Sequence, residues 1–262
     1  MAAFEHMAAA LYLAAGVAAM LGLVLPAPRL LRGACWVLGL GAVSQAVAFG
    51  TLHRLDPAPS LTDLGQAIAV AAWLAVIFTL VLLTRFRLMG FVAPLAFIAF
   101  LATFGAMLSH PGANAGSEPS GSIPHAHVLL ASAGFAALGV AGLAGLFFLL
   151  KHRALKRRRN TQRWLPLPSL EALDRVNRVA LVLGFPLLTL GVLTGLLWLH
   201  ARAGEYWSGS LHETWTLIAW MVYLALVVLR FPAHQGAREA AASAVAGFAF
   251  LVIAVVGVGL VS

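Results

Sequence analysis

The chain has 262 residues, 61% of them hydrophobic and only 10% charged, with a mean hydropathy of +0.93. Soluble domains carry about 25% charged and about 45–50% apolar residues, so a water-facing globular enzyme is excluded, and the abundance of apolar surface excludes disorder. The net charge of +8 takes its meaning from where the charges fall, and the single cysteine, Cys35, excludes an intramolecular disulfide or a CxxC pair.

A helix needs roughly 20 mostly apolar residues to cross a bilayer. Eight such stretches follow one another, at residues 8–26, 35–52, 65–84, 89–108, 127–150, 179–199, 214–230 and 241–260. They predict an all-α integral membrane protein, a single polytopic domain of about eight transmembrane helices over residues 1–262. The period-two alternation of a transmembrane β-barrel is absent from them. The first span has no basic residue before it and no clear cleavage site, which predicts a retained helix rather than a signal peptide.

The interruptions read as loops: Pro26-Ala-Pro-Arg-Leu-Leu-Arg-Gly33, a hinge at Arg85 and Arg87, and the Gly/Ser/Pro-rich residues 109–124. Ser169-Leu-Glu171-Ala-Leu-Asp174 predicts a capped helix start with acids in its first turn. Pro186 in the sixth span predicts a kink. Gly39 and Gly41, and then Gly139, Gly142 and Gly145, predict close helix packing. Cys35 reads as structural.

Lysine and arginine set orientation in a membrane. The loops after spans 1, 3, 5 and 7 hold 15 of the 17 basic residues, leaving Arg54 and Arg202 on the other side. The split predicts both termini outside a bacterial plasma (inner) membrane and the basic loop 151–168 in the cytoplasm. The charge excess is then a topology and anionic-lipid signal. No recognition module accompanies it, so nucleic acid is not expected as a partner. Charge inside the spans is sparse, which argues against a pump or small-solute transporter.

The same map sorts the nine histidines. His152 and His234 fall on the cytoplasmic side, whereas His6, His53, His110, His125, His127, His200 and His212 fall on the outer side. Interfacial placement accounts for any one of them; together they point to a shared outer site. Zinc spacing is absent, since there is no HExxH and His125-Ala-His127 does not share a helical face. The candidate ligands come from separate helix ends: His53 closing span 2, His127 opening span 5, His200 closing span 6 and His212 opening span 7. That arrangement suits a flat cofactor such as haem b, held by two axial ligands. Arg54 and Arg202 could pair with its propionates, with snorkelling at the interface as the plainer alternative.

The outer loop 200–213 and its flanks read Trp198-Leu-His200-Ala-Arg202-Ala-Gly-Glu205-Tyr206-Trp207-Ser-Gly-Ser-Leu-His212-Glu213-Thr-Trp215. An aromatic belt explains the tryptophans and tyrosine, but not two glutamates and two histidines beside them. Here the chain resembles the cytochrome c assembly proteins of the CcsA/CcmC type. Leu183-Gly-Phe-Pro-Leu-Leu-Thr-Leu-Gly-Val-Leu-Thr-Gly195 is similar to the helix leading into that family's tryptophan-rich loop. Tyr206-Trp207-Ser208, Glu213-Thr214-Trp215 and Ala219-Trp220-Met-Val-Tyr223 are similar to its WWD segment and the helix after it. His127-Val128 resembles its outer histidine ahead of that loop, and Gly257-Val-Gly-Leu260 its last helix. Eight spans in this order resemble the smaller YpjD/HemX-like branch.

The resemblance implies haem handling in cytochrome c biogenesis, with other maturation proteins, haem and the bilayer as partners. His127 and one of His53, His200 or His212 would hold iron, Trp207 and Trp215 would cover the ring, and Arg54 and Arg202 would hold propionates. Departures accompany it. The family's Trp-x-Trp-Asp-Pro-Lys-Glu-Thr-Trp is here Trp207-Ser-Gly-Ser-Leu-His212-Glu-Thr-Trp215, with His212 in the place of the lysine. Gln45 stands where a histidine is expected in the second helix, and the family's late outer histidine has no counterpart up to Ser262. Two readings follow: a haem-handling protein that catalyses no evident bond change, or a membrane scaffold or regulatory subunit that kept the fold without the cofactor.

Overall fold

Short polar residues and prolines at the ends of apolar stretches set where these helices begin. The computed structural model describes residues 2–52, 63–86, 88–108, 122–156 and 168–261. Eight helices among them are α1 (Ala2–Val24), α2 (Pro28–Leu52), α3 (Leu64–Leu83), α4 (Val92–Leu108), α5 (Ser122–Lys156), α6 (Leu170–Ala203), α7 (Leu211–Arg230) and α8 (Ala237–Val261), with a 3₁₀ turn at Met89–Phe91 leading into α4. All eight are long and apolar enough to cross a membrane, and no strand occurs among the described residues.

The helix ends differ from the hydropathy limits for local reasons. α2 starts at Pro28, inside the expected loop, because proline lacks the N–H that a first helical position leaves unpaired and already has a helical φ. Asp63 caps α3, its carboxylate accepting from the N–H groups of Gly65 and Gln66 at 3.1 and 3.3 Å. Ser169 caps α6 as expected, accepting from Ala172 N–H at 3.1 Å. α6 runs as helix through Pro186. At 35 and 34 residues, α5 and α6 are each about 50 Å long, well beyond a hydrocarbon core of about 30 Å. Their polar ends are therefore helical rather than loop.

Helices α1 to α4 form one compact unit and α5 to α8 another. In the first, α1 packs on α2 and α4, and α3 on α4 and α2. Gly41 lets the ring of fully buried Tyr12 lie against α2; a Cβ there would stand 2.7 Å from the ring. Tyr12 Oη–H donates to Gln45 Oε1 at 2.7 Å, and Gln45 Nε2–H donates to Ala69 O at 3.3 Å. One buried glutamine thus joins three helices. Trp73 Nε1–H adds a bond to Ala42 O at 2.9 Å. Among the described residues a Cβ on Gly39 meets nothing within 4 Å, so of that pair it is Gly41 that supports a close approach. Cys35 Sγ lies 3.5 Å from Met89 Sδ.

In the second unit α5 packs along α6 and α8, and α7 on α8 and α6. A Cβ on Gly134 would fall 2.6 Å from Leu188 N, and one on Gly184 2.8 Å from the Leu138 side chain. Gly139 and Gly142 lie under Phe248, and Gly145 against Ala241 O, as their spacing predicts. With no side chain between them, the backbones approach closely, which is how helices associate where lipid removes the hydrophobic drive. Leu138, Leu181, Leu188, Tyr223 and Leu251 form the core.

Candidate functional site

The site is built where α5 begins, α6 ends and α7 begins. Because α5 starts at Ser122, His127 lies in its second turn rather than at its opening. Its half-buried imidazole faces α6, with Nδ1 2.8 Å from Gly191 O. A carbonyl oxygen only accepts, so Nδ1 carries the proton and donates, and Nε2 of the neutral ring keeps its lone pair. Thr194 Oγ1 lies 2.9 Å from the same oxygen. The Trp198 ring lies one turn on from Gly195, its centroid 6.1 Å from that of His127.

The loop into α7 is held by its own polar groups. α6 stops at Gly204, whose φ of +75° suits glycine and whose N–H donates to His200 O at 2.8 Å. Ser210 caps α7, accepting from Glu213 N–H at 3.3 Å. The Glu213 carboxylate reaches back to accept from Ser208 N–H at 2.8 Å and Ser208 Oγ–H at 2.6 Å. This is a capping box extended by two residues, with Gly209 at a φ of +74° allowing the turn.

His212, in the first turn of α7, lies within electrostatic range of His127. Both imidazoles thus belong to the second unit, His127 on α5 and His212 on α7. His200 stacks on Tyr206, with centroids 4.1 Å apart and planes 2° from parallel. Arg202, Tyr206, Trp207 and Trp215 are exposed at the same end, and Trp215 tilts against Phe250 of α8 at 5.8 Å. His53 and Arg54 lie outside the described residues. Among the described residues no three His, Cys, Asp or Glu side chains converge as a metal cluster would require. Haem makes no such demand, since two axial imidazoles suffice.

The profile of the family described as "Cytochrome C assembly protein" matches residues 61–262, which takes in α3 through α8 and the whole of this site. The chain belongs to the cytochrome c assembly protein family. A segment of 90 residues, 34% of the chain, is 41% identical to the cytochrome c biogenesis protein CcsA of Prochlorococcus marinus (strain MIT 9303), covering 28% of that protein. The same length is 38% identical to the CcsA proteins of Microcystis aeruginosa and Synechocystis sp., covering 27% of each. The match therefore spans little more than a quarter of each relative's length.

Two features singled out in the sequence acquire a structural account. Gln45 is a satisfied buried amide, both of its ends bonded within the first unit. Glu213 fastens the Ser208-Gly-Ser segment of the loop. The residues that the sequence left without a role are Gly191, Thr194 and Gly195. Their signal was the i, i+3, i+4 spacing that continues to Trp198 and puts all four on one face of α6.

Proposed function

We propose that this chain holds haem at the α5–α6–α7 end of its second unit and serves cytochrome c biogenesis. The observation that carries the reading is the His127 Nδ1–H bond to Gly191 O. It fixes one tautomer and leaves Nε2 free to donate to a metal, as in metal sites where the second ring nitrogen is anchored on a carbonyl. His212 is the second candidate ligand. Trp207 and Trp215 offer exposed aromatic faces for a planar macrocycle, and Arg202 a cation for a carboxylate. His53 and Arg54 remain candidates by sequence alone, and His200 by sequence with its ring stacked on Tyr206. Haem b would supply an iron centre here; the chain's own residues bind and orient it.

On the positive-inside rule this end would face the outer side of the inner membrane, with both termini outside and the basic ends of α5 and α6 in the cytoplasm. Other maturation proteins would meet the haem there. The second reading, a scaffold without cofactor, is favoured by the replaced Trp, Asp, Pro and Lys of the loop and by Gln45. Purified protein supplied with haem, read by its Soret band and a pyridine haemochrome assay, separates the two. Bound haem that falls in His127→Ala supports the first reading. No Soret absorbance after haem is supplied overturns it.

A further inference from the structure

We infer that α6 sets which nitrogen of His127 can bind metal, through a seat made by Gly191 and Gly195. This rests on the haem reading above and adds the positioning device behind it. The backbone of α6 meets α5 closely at this level, since a Cβ on Gly191 would stand 2.9 Å from both Ala131 N and Ala131 Cα, one helical turn past His127. A Cβ on Gly195 would stand 2.9 Å from His127 Cε1 and 3.0 Å from Nδ1. The imidazole thus occupies the space that a side chain at 195 would fill. From that space Nδ1 reaches Gly191 O at 2.8 Å.

The consequence is chemical as well as steric. A Gly-x-x-x-Gly pair in a membrane helix ordinarily admits another helix; this one also admits a ring. With Nδ1–H donated to the carbonyl, Nε2 is the coordinating atom, and the bond makes it a more basic donor. Thr194 Oγ1, between Leu190 O at 2.8 Å and Gly191 O at 2.9 Å, can turn its single proton to either. Its removal leaves the carbonyl to the imidazole. Gly191 and Gly195 are therefore positioning residues, and Thr194 is dispensable to the tautomer.

The test is made first without haem, on protein in detergent with 15N-labelled histidine, His127 being assigned by its loss in His127→Gln. The expected result is a protonated Nδ1 and an unprotonated Nε2 in the unmodified protein and in Thr194→Val. Gly195→Ala should lose this fixed tautomer while keeping its helical circular dichroism. A proton on Nε2 in the unmodified protein, which needs no variant to fold, overturns the inference. So does an unchanged tautomer in Gly195→Ala. Haemin titration follows, in which Gly195→Ala should bind about 10- to 100-fold more weakly. Equal affinity removes the positioning role. Unmodified protein with the expected tautomer and no haemin uptake overturns the haem reading and the role assigned to the tautomer, which separates that failure from a failure of the seat itself.

Discussion

Asp174 and Arg230, 56 positions apart, meet at 2.5 Å where α6 begins and α7 ends. The Arg230 side chain is only 4% exposed and that of Asp174 18%. Arg178 joins the same carboxylate at 3.3 Å, and Arg230 also donates to Gln235 O at 3.3 Å. Removing one member of a buried pair strands the other charge and costs about 3–5 kcal/mol, whereas replacing both with apolar groups is often neutral. Asp174→Leu alone, which strands the buried Arg230 guanidinium, should therefore lower thermal stability in detergent much more than the Asp174→Leu, Arg230→Met double variant. A single variant as stable as the double would show that the pair does not tie α6 to α7.

Two buried tyrosines should answer differently to loss of the hydroxyl. Tyr12 Oη–H serves Gln45, so Tyr12→Phe leaves a buried amide oxygen without its donor, at a cost of about 1–3 kcal/mol. Among the described residues Tyr223 Oη is buried with no hydrogen-bond partner, so Tyr223→Phe should leave stability unchanged or raise it. Unfolding midpoints of the two variants, measured side by side, check the contrast.

Glu213 fastens its loop through Ser208 rather than facing a ligand with both oxygens free. Glu213→Ala should speed hydrogen exchange at the Ser208 amide, whose acceptor it removes. Ser210→Ala should cost about 1 kcal/mol, the usual loss of a helix N-cap. Unchanged exchange at Ser208 would mean that the clamp does not persist in solution.

The two histidines flanking the loop should part company in haem titrations. On the haem reading proposed above, His212→Ala is expected to shift bound ferric haem from a low-spin to a high-spin spectrum, because it would remove the second candidate ligand. His200→Ala should leave the spectrum unchanged, since that ring stacks on Tyr206. The reverse pattern would exchange their roles.

The eight spans were legible because runs of leucine, alanine and valine have no other home than lipid or a deep core. The caps at Ser169 and the glycine faces at Gly139, Gly142 and Gly145 were legible for a similarly local reason. What escaped was long-range. Arg230 reads as one more topology cation because its partner lies 56 residues away. The seat of His127 escaped because Gly191 lies 64 residues away, and no periodicity within one helix states which face of its neighbour it will meet. Pro28 misled by its reputation as a breaker, although a proline at the first position starts a helix well. Gly39 misled because spacing alone does not distinguish it from Gly41.

The Gln45 amide bears on stoichiometry. A glutamine whose two ends are both committed to neighbours is a poor metal donor, and freeing it would break the bonds that join α1, α2 and α3. Gln45 therefore offers no ligand to a second macrocycle. On the haem reading proposed above, with His127 as the anchored ligand, the haem-loaded protein should carry one iron per polypeptide, a ratio that elemental analysis reads directly.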